Sequence, residues 1–457
     1  MIPISLKEIA EITNGLLIGK DLLLKYLATD TRKLEKNSLF IAFTGNKFNA
    51  HHFINDAINK GAQAFLLNTY FPIVQPQIIV NDTQIAFGKI AAWIRQKVKA
   101  RIIALTGSVG KTSVKEMTAS IMRECGKTLY TKDNFNNTIG VPMTLIGLTL
   151  EHEYAVIEIG ANQIGEIDYS SQLVNPESVL INNLAAAHLE GFGSLTGIAR
   201  AKAEIFNHLR SNGTIVINRN CQYCLQWQKQ LYIKNIWNFS LQKEHNVDFF
   251  ASNIRYQKFG TQFIMHTPNG DIDITLPLFG NHNVENALAA AALALSVDIP
   301  LDKIQNGLKQ TNCIMGRLFP IHLSKGKLLL DDTYNANVGS MTAAIDVLAQ
   351  MPGYKIMVVG DMLELGHETD KYHREIGLIA KRSGIDKIFS IGSLSKLISE
   401  VSGIGEHFNH QKSLIEQLLI LLSEYPTITI LIKSSHNFNM KPIIQSLKEK
   451  KYVSLYD

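Results

Sequence analysis

A short run of glycine, lysine and threonine in the segment RIIALTGSVGKTSVKEM could bind the phosphates of a nucleotide. The apolar stretch before it predicts a buried strand, and Gly107 and Gly110 would let backbone N–H groups turn toward phosphate oxygens. Lys111 could reach the terminal phosphates, and Thr112 could offer its hydroxyl to Mg²⁺. The segment therefore predicts a phosphate loop that opens a helix, and its other candidate residues are Ser108, Val109 and Ser113.

This loop is shorter than the general P-loop. The general pattern has its first glycine at the position that Leu105 occupies here. A plain strand–turn–helix with incidental glycines is therefore the competing interpretation.

Three further side chains could serve metal ions near such a loop. Glu158 lies in the apolar run YAVIEIG, and a carboxylate near the end of a parallel strand usually points into the crevice where ligands bind. A solvated residue on an edge strand is the alternative. His188 follows another apolar run in NNLAAAHLEGFGS, although a lone histidine is more often structural. Lys202 lies in the helical stretch GIARAKAEIF, whose spacing alone predicts a lysine on the surface.

Two asparagine-rich segments accompany the loop. Asn137 lies in NFNNTIGVP, and Asn283 lies in GNHNVENALAA at the start of an alanine-rich helix. Asparagines of this kind are ordinary helix caps and turn residues. Their presence together with a phosphate loop favours a nucleotide site.

The order of apolar runs predicts a three-domain α/β protein, as its 457 residues also suggest. We expect a small N-terminal α/β domain over residues 1–83, with strands at 38–43, 63–68 and 76–82. Residues 84–312 alternate buried strands with helices, which indicates a mostly parallel sheet with flanking helices of the P-loop type and late antiparallel strands. Residues 313–457 repeat that rhythm and predict a Rossmann-like C-terminal domain.

Composition excludes several classes of protein. The 45 Lys and Arg residues exceed the 40 Asp and Glu residues by only 5, without basic runs, so we expect no nucleic-acid partner. The N-terminus has no signal-peptide pattern, and no apolar run approaches the roughly 20 residues that span a bilayer. We therefore expect a cytoplasmic protein that is not inserted in a membrane. Cys221 and Cys224 lack further metal ligands at suitable spacing, so reduced thiols are favoured over zinc.

Taken together, the motifs resemble the Mur ligases, the amide-forming enzymes of bacterial cell-wall assembly. The resemblance covers residues from about 28 to 440, and the motifs that carry it are TGSVGKTSVKEM, NFNNTIGVPMTL, IEIGANQIGEI, AHLEGFGSLTGIARAKAEIF, GNHNVENALAA, GRL, LDDTYNAN and GDMLELG. DDTYNAN and NFNNTIGVP favour the type that joins D-alanyl-D-alanine to UDP-N-acetylmuramoyl-tripeptide. The resemblance implies an ATP-dependent ligase that acts through an acyl phosphate in peptidoglycan precursor synthesis. We expect it to be a monomer.

The resemblance also implies which residues are catalytic. Lys111 and Thr112 hold the ATP phosphates and one Mg²⁺, which Glu158 shares. His188 and Lys202 serve a second Mg²⁺, with Lys202 carrying a carbamate derived from CO₂. Further implied nucleotide contacts are Asn137, Asn283, Arg317 and Asp332. The implied substrate contacts are Thr31, Arg32, Phe48, His51, Tyr334 and Asn335, the first four of them in the UDP-binding segments 28–33 and 45–53.

Several positions depart from the family pattern. The segment GNKFNAHHF has Asn49, Ala50 and His52 where the family has Asp, Gly and Asp. Val338 stands where the family has Pro, and Ser434 follows Lys433 without the expected Gly and Arg. The last two departures fall in the C-terminal domain, which the resemblance assigns to the incoming dipeptide.

Two alternatives remain at this stage. Another Mur-type or folylpolyglutamate-type ligase would share most of these motifs. A regulatory P-loop ATPase would share the phosphate loop but perform no ligation.

Overall fold

A computed structural model describes residues 1–45, 48–185, 189–231, 235–257, 260–435 and 438–449. The N-terminal part contains a five-stranded sheet in the order β2-β9-β8-β5-β4, in which β2 alone runs antiparallel to its neighbour. Its elements are β1 (Ile4–Ser5), α1 (Leu6–Thr13), β2 (Leu16–Ile18), β3 (Leu23–Leu24), β4 (Tyr26–Ala28), β5 (Ser38–Ile41), β6 (Thr44–Gly45), β7 (Phe48–Asn49), α2 (Ile54–Asn59), β8 (Ala62–Leu67) and β9 (Gln77–Ile79), with 3₁₀ helices at Thr31–Lys33 and Ala50–Phe53.

One long helix, α3 (Thr83–Lys97), joins this part to the next. Asp82 caps it by accepting hydrogen bonds from the backbone N–H groups of Gln84 and Ile85. Its apolar residues recur at helical spacing and are buried in a core shared with α1 and the central sheet. The helix therefore fixes the N-terminal sheet against the central one.

The central sheet has six parallel strands in the order β11-β12-β10-β13-β14-β15. Its elements are β10 (Arg101–Thr106), α4 (Lys111–Arg123), β11 (Thr128–Tyr130), α5 (Gly140–Ile146), β12 (Tyr154–Glu158), α6 (Glu166–Val174), β13 (Ser178–Ile181), α7 (Leu189–Phe192), α8 (Leu195–Ala203), β14 (Thr214–Asn218), α9 (Cys224–Gln230) and β15 (Asn235–Phe239), with a 3₁₀ helix at Glu204–Phe206. The chain moves from β10 to one side and later returns to the other, so a crevice opens beyond the carboxyl end of β10.

The expected antiparallel strands follow the central sheet, and the structure confirms them. They are β16 (Phe250–Gln257), β17 (Gly260–Thr267) and β18 (Gly270–Leu276). Two helices, α10 (Asn281–Leu295) and α11 (Leu301–Lys309), then pack on α4. Because α10 is rich in alanine, it fits closely between α4 and the surrounding strands, and most of its residues are buried.

The C-terminal sheet has six strands in the order β19-β20-β24-β21-β22-β23, and β19 alone is antiparallel. Its elements are β19 (Phe319–Ser324), β20 (Lys327–Asp332), α12 (Val338–Ala349), β21 (Tyr354–Val359), α13 (Thr369–Arg382), β22 (Lys387–Ile391), α14 (Lys396–Ser402), β23 (Gly405–Phe408), α15 (Gln411–Glu424), β24 (Ile428–Lys433) and α16 (Lys441–Glu449), with a 3₁₀ helix at Gly366–Glu368. The predicted α/β class, with helix-flanked and mostly parallel sheets, is confirmed. None of the helices in the described ranges is long and apolar enough to cross a membrane.

Candidate active site

The predicted phosphate loop connects β10 to α4. Gly110 lies immediately before α4 with φ of 80°, in the left-handed region that favours glycine. A Cβ atom there would lie 2.6 Å from Asn286 Oδ1 and 2.7 Å from Asn182 Nδ2. Both the backbone angle and the close packing therefore require glycine at this position.

Two asparagines that follow β13 hold the loop in shape. The backbone N–H of Val109 donates to Asn183 Oδ1 at 2.8 Å, and Asn182 Nδ2 donates to the carbonyl oxygen of Val109 at 3.0 Å. The Ser108 hydroxyl donates to the carbonyl oxygen of Ala185 at 3.0 Å. Sequence reasoning missed Asn182 and Asn183, although the pair directly follows a buried strand next to β10, which is a signal for a site residue.

Lys111 is the first residue of α4, and its ammonium group turns back over the loop. Its Nζ donates to the carbonyl oxygen of Gly107 at 2.7 Å. Burial lowers the pKa of Lys111, the nearby Arg317 lowers it further, and Glu158 acts in the opposite direction. A partly buried cation beside a glycine-rich loop is suited to an anionic ligand.

Arg317 brings the C-terminal part of the chain to this loop. Its Nη2 donates to the hydroxyl oxygen of Thr112 at 2.8 Å, and its guanidinium lies 4.2 Å from the ring centroid of Tyr334. Its Nε atom is buried and has no hydrogen-bond partner among the described residues. Arg317 is therefore held in place by other contacts, and its Nε donor could bond a ligand in this cavity.

Glu158 lies at the carboxyl end of β12, an inner strand of the sheet. Its side chain is 2% exposed, which excludes the alternative of a solvated edge residue. Its Oε1 accepts a hydrogen bond of 2.7 Å from Asn136 Nδ2, whereas Oε2 is buried without a partner in the described part of the chain. Because buried carboxylate oxygens are normally bonded, the free oxygen fits a cation that the chain alone does not supply. Sequence reasoning missed Asn136.

Lys202 corrects one expectation from the sequence. Helical spacing predicted a surface lysine, but its side chain is 5% exposed. The prediction was wrong because Lys202 shares the buried face of α8 with Ile198 and Ala201. Burial lowers the pKa of Lys202 well below its usual value, and Lys111 adds to this effect. His188, its expected partner, lies outside the described residues.

Most of the predicted nucleotide residues line one cavity of about 460 Å³ between the central and C-terminal sheets. The predicted residues in its wall are Ser108, Val109, Gly110, Lys111, Thr112, Ser113, Glu158, Asn283, Arg317, Asp332, Tyr334 and Asn335. A second cavity of about 150 Å³ lies beside it, and its predicted residues are Gly107, Ser108, Lys111, Asn137 and Lys202. The structure therefore places residues far apart in sequence around one phosphate loop.

Asp332 and Lys433 form a buried pair at the ends of the neighbouring strands β20 and β24. Lys433 Nζ lies 2.6 Å from Asp332 Oδ2, and Asp332 Oδ1 accepts from the backbone N–H of Leu318 at 3.1 Å. Burial raises the pKa of Asp332, and Lys433 opposes that rise. Because Asp332 bonds the backbone of Leu318, which directly follows Arg317 in the chain, the pair also fixes the backbone at Arg317.

The two predicted asparagines also have structural roles. Asn137 Oδ1 accepts from the backbone N–H of Gly140 at 2.8 Å, at the start of α5. Asn283 Nδ2 donates to the carbonyl oxygen of Phe279 at 2.8 Å, and its Oδ1 accepts from Asn286 at 3.3 Å. Each asparagine therefore supports a helix start while it lines a cavity.

The predicted UDP-binding residues lie in the N-terminal part. Thr31 is buried, whereas Arg32 is exposed and pairs with Asp30, its Nη2 lying 2.7 Å from Asp30 Oδ2. His51 Nδ1 lies 2.8 Å from Asn49 Oδ1, and burial lowers the pKa of His51. The side chain of Phe48 lies outside the described part. The residues described for the two cavities do not include Thr31, Arg32 or His51.

The structure accounts for the departures in the C-terminal part. Val338 begins α12, where Asn337 and Ser340 form a reciprocal capping box, so the helix start does not depend on proline. Ser434 is fully buried, and its hydroxyl donates to the carbonyl oxygen of Phe438 at 3.0 Å. Both replacements are therefore locally satisfied.

Carboxylate, histidine and thiol side chains do not cluster in groups of three or more that could hold a metal ion, within the described ranges. Mg²⁺ typically takes only one or two carboxylates from a protein and keeps waters and substrate phosphates as its other ligands. The free carboxylate oxygen of Glu158, in the wall of the same cavity as Thr112, therefore fits Mg²⁺ rather than a metal with an all-protein cage.

Comparison with known families gives two matches within the chain. A model described as the Mur ligase middle domain matches residues 105–294. A model described as the Mur ligase, glutamate ligase domain matches residues 316–436. The first range contains the phosphate loop, Glu158 and Lys202, and the second contains Arg317 and Asp332.

Individual relatives match over nearly the whole chain. The UDP-N-acetylmuramoyl-tripeptide–D-alanyl-D-alanine ligase of Escherichia coli (strain K12) is 52% identical, with 98% of this chain and 99% of that protein covered. A crystal structure of MurF from Acinetobacter baumannii superposes with a TM-score of 0.93 at 35% identity, covering 98% of this chain and 99% of that one. MurF from Thermotoga maritima, solved in complex with ADP, has a TM-score of 0.83 at 21% identity, covering 93% and 97% of the two chains, and supports the fold alone.

Proposed function

The chain belongs to the Mur ligases, and from this premise we propose that it joins D-alanyl-D-alanine to UDP-N-acetylmuramoyl-tripeptide, with ATP converted to ADP and phosphate. The relative from Escherichia coli that carries this activity in its name is 52% identical over 98% of the chain. The observation that carries the proposal is the cavity in which the phosphate loop, the free oxygen of Glu158 and Arg317 meet. The reaction supplies a precursor for peptidoglycan.

The reaction needs positive charge more than it needs a nucleophilic side chain. An oxygen of the tripeptide carboxylate attacks the γ-phosphorus of ATP, ADP leaves, and an acyl phosphate forms. The amine of D-alanyl-D-alanine then attacks the carbonyl carbon, loses a proton, and displaces phosphate to leave the amide. Both steps gather negative charge on phosphate oxygens, so cations and backbone N–H groups provide the stabilisation.

In this proposal, the loop and two basic side chains bind the triphosphate. The backbone N–H groups of Gly110, Lys111 and Thr112, at the N-terminus of α4, would donate to the phosphates. Lys111 exchanges its bond with the carbonyl oxygen of Gly107 for a phosphate oxygen. Arg317 Nε, which is buried without a partner in the described structure, donates to the same group. Asn283 and Asp332 position the rest of the nucleotide.

Thr112 and Glu158 would hold one Mg²⁺ beside these phosphates. Their fit is supported by the free Oε2 atom of Glu158 and by the oxygen-only donor set, which a hard cation prefers. When bound, the ion would neutralise charge on the transferred phosphoryl group. Asn136 fixes the plane of the Glu158 carboxylate through its hydrogen bond to Oε1.

His188 and Lys202 would serve a second Mg²⁺, with Lys202 present as a carbamate. A protonated lysine is repelled by a metal ion, whereas a carbamate offers two anionic oxygens. Carbamate formation requires the neutral amine, which attacks the carbon of CO₂ and releases a proton. The lowered pKa of the buried Lys202 amine supports this step, because burial favours the neutral form.

The carbamate can be tested apart from turnover. Protein equilibrated with ¹³C-labelled bicarbonate should give a carbamate carbon signal that is absent in Lys202→Ala. Activity of Lys202→Ala should be lost and partly restored by small carboxylates, which fill the vacated oxygen site. Lys202→Arg should be inactive without rescue, because its side chain occupies the gap. Full activity of Lys202→Arg would rule the carbamate out.

The remaining parts of the chain complete the proposal. Residues 1–83 would bind the UDP part of the substrate through Thr31, Arg32, Phe48 and His51. Residues 84–312 would hold ATP, with Asn137 in the smaller cavity beside Lys202. Residues 313–457 would close on ATP and present Tyr334 and Asn335 to the incoming dipeptide. We propose that the protein acts as a monomer.

A substrate panel tests the proposed function. Purified protein with ATP and Mg²⁺ should release phosphate only when both UDP-N-acetylmuramoyl-tripeptide and D-alanyl-D-alanine are present, and mass spectrometry should show the pentapeptide product. Phosphate release with a free amino acid in place of D-alanyl-D-alanine would favour another ligase of this family. Phosphate release with a folyl substrate in place of UDP-N-acetylmuramoyl-tripeptide, and an amino acid as the amine, would favour the folylpolyglutamate type. Phosphate release without any amine would favour an ATPase.

A further inference from the structure

A buried lysine lies one turn beyond the phosphate loop, and the proposed reaction gives it no role. Lys115 is on α4, four residues after Lys111, and its side chain is 1% exposed. A buried ion pair often stabilises a protein no more than well-packed apolar residues of the same size would. Packing alone therefore does not explain a lysine at this position.

The ammonium group of Lys115 has partners on two sides. Its Nζ donates to the carbonyl oxygen of Thr131 at 2.7 Å and lies 2.9 Å from Glu116 Oε1. The side chain of Glu116 is 27% exposed and keeps contact with water, whereas Thr131 is fully buried. The charge is therefore balanced near the surface, and the bond into the interior goes to the backbone of Thr131.

Thr131 is the residue at which β11 stops following β12. The strands pair up to Tyr130 and Val156, and the backbone N–H of Thr131 donates to the carbonyl oxygen of Val156 at 3.1 Å. A regular parallel ladder would continue with a bond from the N–H of Glu158 to the carbonyl oxygen of Thr131. In the structure, that N–H donates to the Thr131 hydroxyl at 3.0 Å, and Lys115 bonds the carbonyl oxygen. Lys115 therefore takes the acceptor with which the ladder would continue.

The segment 132–137 leaves the sheet at this point and crosses the end of β12. The carbonyl oxygen of Asn136 accepts from the backbone N–H of Gly160 at 2.8 Å, and Asn136 Nδ2 donates to Glu158 Oε1 at 2.7 Å. Because the segment starts next to the residue that Lys115 holds, the direction in which it leaves the sheet depends on that bond.

Glu158 is thus held at two atoms by residues that follow β11. Its backbone N–H is bonded to Thr131 and its Oε1 to Asn136, which leaves Oε2 buried without a partner in the described part of the chain. The helix α4 carries Thr112 at its start and Lys115 one turn later. One helix therefore fixes both proposed Mg²⁺ ligands, Thr112 directly and Glu158 through Lys115.

From these bonds we propose that Lys115 is a positioning residue, which sets the place of the Glu158 carboxylate relative to Thr112 in the Mg²⁺ site. It acts through Thr131 and Asn136, and it is not among the residues described for either cavity. This inference rests on the proposed function, in which Glu158 and Thr112 hold the ion. A displaced Glu158 carboxylate would bind the ion more weakly, while the phosphate loop would keep its shape.

The test measures how much Mg²⁺ tightens the binding of a non-hydrolysable ATP analogue. Isothermal titration gives the Kd of the analogue with excess Mg²⁺ and with EDTA, and the ratio of these two values is the gain in affinity from the ion. In Lys115→Met, an apolar side chain of similar length replaces the ammonium group. We expect the gain to fall about tenfold or more, because partners that orient a metal ligand contribute that much to metal affinity. The Kd with EDTA should stay at that of the wild type.

Two further variants separate positioning from a general loss of stability. Met117→Ala removes a fully buried apolar side chain from the same helix, so it should lower the free energy of unfolding and leave the gain from Mg²⁺ unchanged. Lys115→Arg keeps the charge and a donor, and it should recover part of the gain. If Lys115→Met does not fold, Thr131→Val is the second variant, because it removes the hydroxyl that accepts from the Glu158 N–H and should also reduce the gain.

A double variant tests the route from Lys115 to Glu158. Asn136→Ala removes the bond to Glu158 Oε1 and should reduce the gain from Mg²⁺ by itself. If Lys115 acts through Asn136, the variant with both Lys115→Met and Asn136→Ala should lose less than the product of the two single losses.

Three results would overturn this inference. They are an unchanged gain from Mg²⁺ in Lys115→Met, an equal decrease of the gain in Met117→Ala, and a double variant whose loss equals the product of the single losses. Failure of the proposed function has a different outcome, since the wild-type protein would then form no product from D-alanyl-D-alanine, whatever the variants show in the titrations.

Discussion

Positive side chains converge on the phosphate loop at the scale of single residues. Lys111 and Lys202 both have a lowered pKa, because burial removes the water that would stabilise their charge. Burial has a different consequence for each of these two lysines in the proposed reaction. Lys111 is a poorly solvated cation whose charged form a bound phosphate would stabilise, and Lys202 becomes an amine that can react with CO₂.

Lys111→Ala should remove most ligase activity and leave folding almost unchanged. The side chain donates to one loop carbonyl, so its loss costs little packing, while the loss of a charge-assisted phosphate contact of at least about 1.5 kcal/mol should lower turnover more than about tenfold. Steady-state kinetics and urea unfolding measure the two effects. Lys127→Ala, at an exposed position, is the control, and substantial turnover in Lys111→Ala would contradict the assigned role.

His282 should make the protein less stable in acid. It lines the main cavity, and burial lowers its pKa from 6.5 to about 4, with Lys433 adding to the effect. Between those values the unfolded chain binds a proton that the folded chain does not, so stability falls as the pH decreases, by at most about 1.4 kcal/mol per pH unit. Above pH 6.5 the effect should be constant.

Replacement of this histidine measures the effect. In urea unfolding experiments, the free energy of unfolding of His282→Gln should decrease less than that of the wild type between pH 6.5 and pH 4. His245→Gln, at an exposed histidine, is the control and should follow the wild type. Parallel curves for the wild type and His282→Gln would show that folding does not lower the pKa of His282.

At the scale of elements, a strand, a turn and a helix form the phosphate loop, and neighbours complete it. The turn between β10 and α4 follows from local sequence, since glycine permits the left-handed residue before the helix. Its shape also depends on Asn182 and Asn183 after β13, which bond both backbone groups of Val109. The element is therefore pre-formed by contacts that come from the next strand in the sheet.

Gly110→Ala should lower the stability of the protein by more than the strain of a left-handed alanine accounts for. The alanine Cβ would lie 2.6 Å from Asn286 Oδ1 and 2.7 Å from Asn182 Nδ2, and the Asn182 side chain supports the loop. We expect a loss of stability beyond the roughly 1–2 kcal/mol of a left-handed alanine, and a higher KM for ATP.

A second glycine provides a matched control for this change. Gly165 precedes α6 with φ of 94°, and a Cβ there would meet nothing within 4 Å. Gly165→Ala should therefore show the backbone strain and no change in KM for ATP. Equal losses of stability and equal KM values in the two variants would mean that the asparagines do not constrain the loop.

At the scale of the whole molecule, the cavity is made by two sheets that approach each other. Arg317 reaches Thr112 across 205 residues of sequence, and Lys433 lines the same cavity. Lys433 is paired with Asp332, but Lys111 and Arg317 face the same space and repel each other until an anion neutralises them. The approach of the C-terminal part should therefore depend on bound phosphate.

Small-angle X-ray scattering should detect this dependence. A non-hydrolysable ATP analogue together with UDP-N-acetylmuramoyl-tripeptide should decrease the radius of gyration, because the triphosphate attracts Lys111 and Arg317 from opposite walls. AMP with the same UDP substrate is the control and should have little effect, since it lacks the β- and γ-phosphates. An unchanged profile at saturating ATP analogue would argue against closure driven by the phosphates.

Local sequence determined the individual elements of this protein. The apolar run 101–107 followed by glycine, lysine and threonine identifies β10, the turn and α4, because periodicity and glycine content act over a few residues. The late antiparallel strands were predicted for the same reason. The family resemblance, carried by ordered motifs, indicated the reaction, and the matches over the whole chain confirm it.

Tertiary structure alone decided which side chains meet. Spacing within α8 placed Lys202 on the surface, but packing of that helix buried it, because a short helix shows its buried face only when its neighbours are present. The bond from Asn136 to Glu158 and the bond from Arg317 to Thr112 join residues on different elements. Such contacts depend on how the sheets pack, and local periodicity carries no information about that packing.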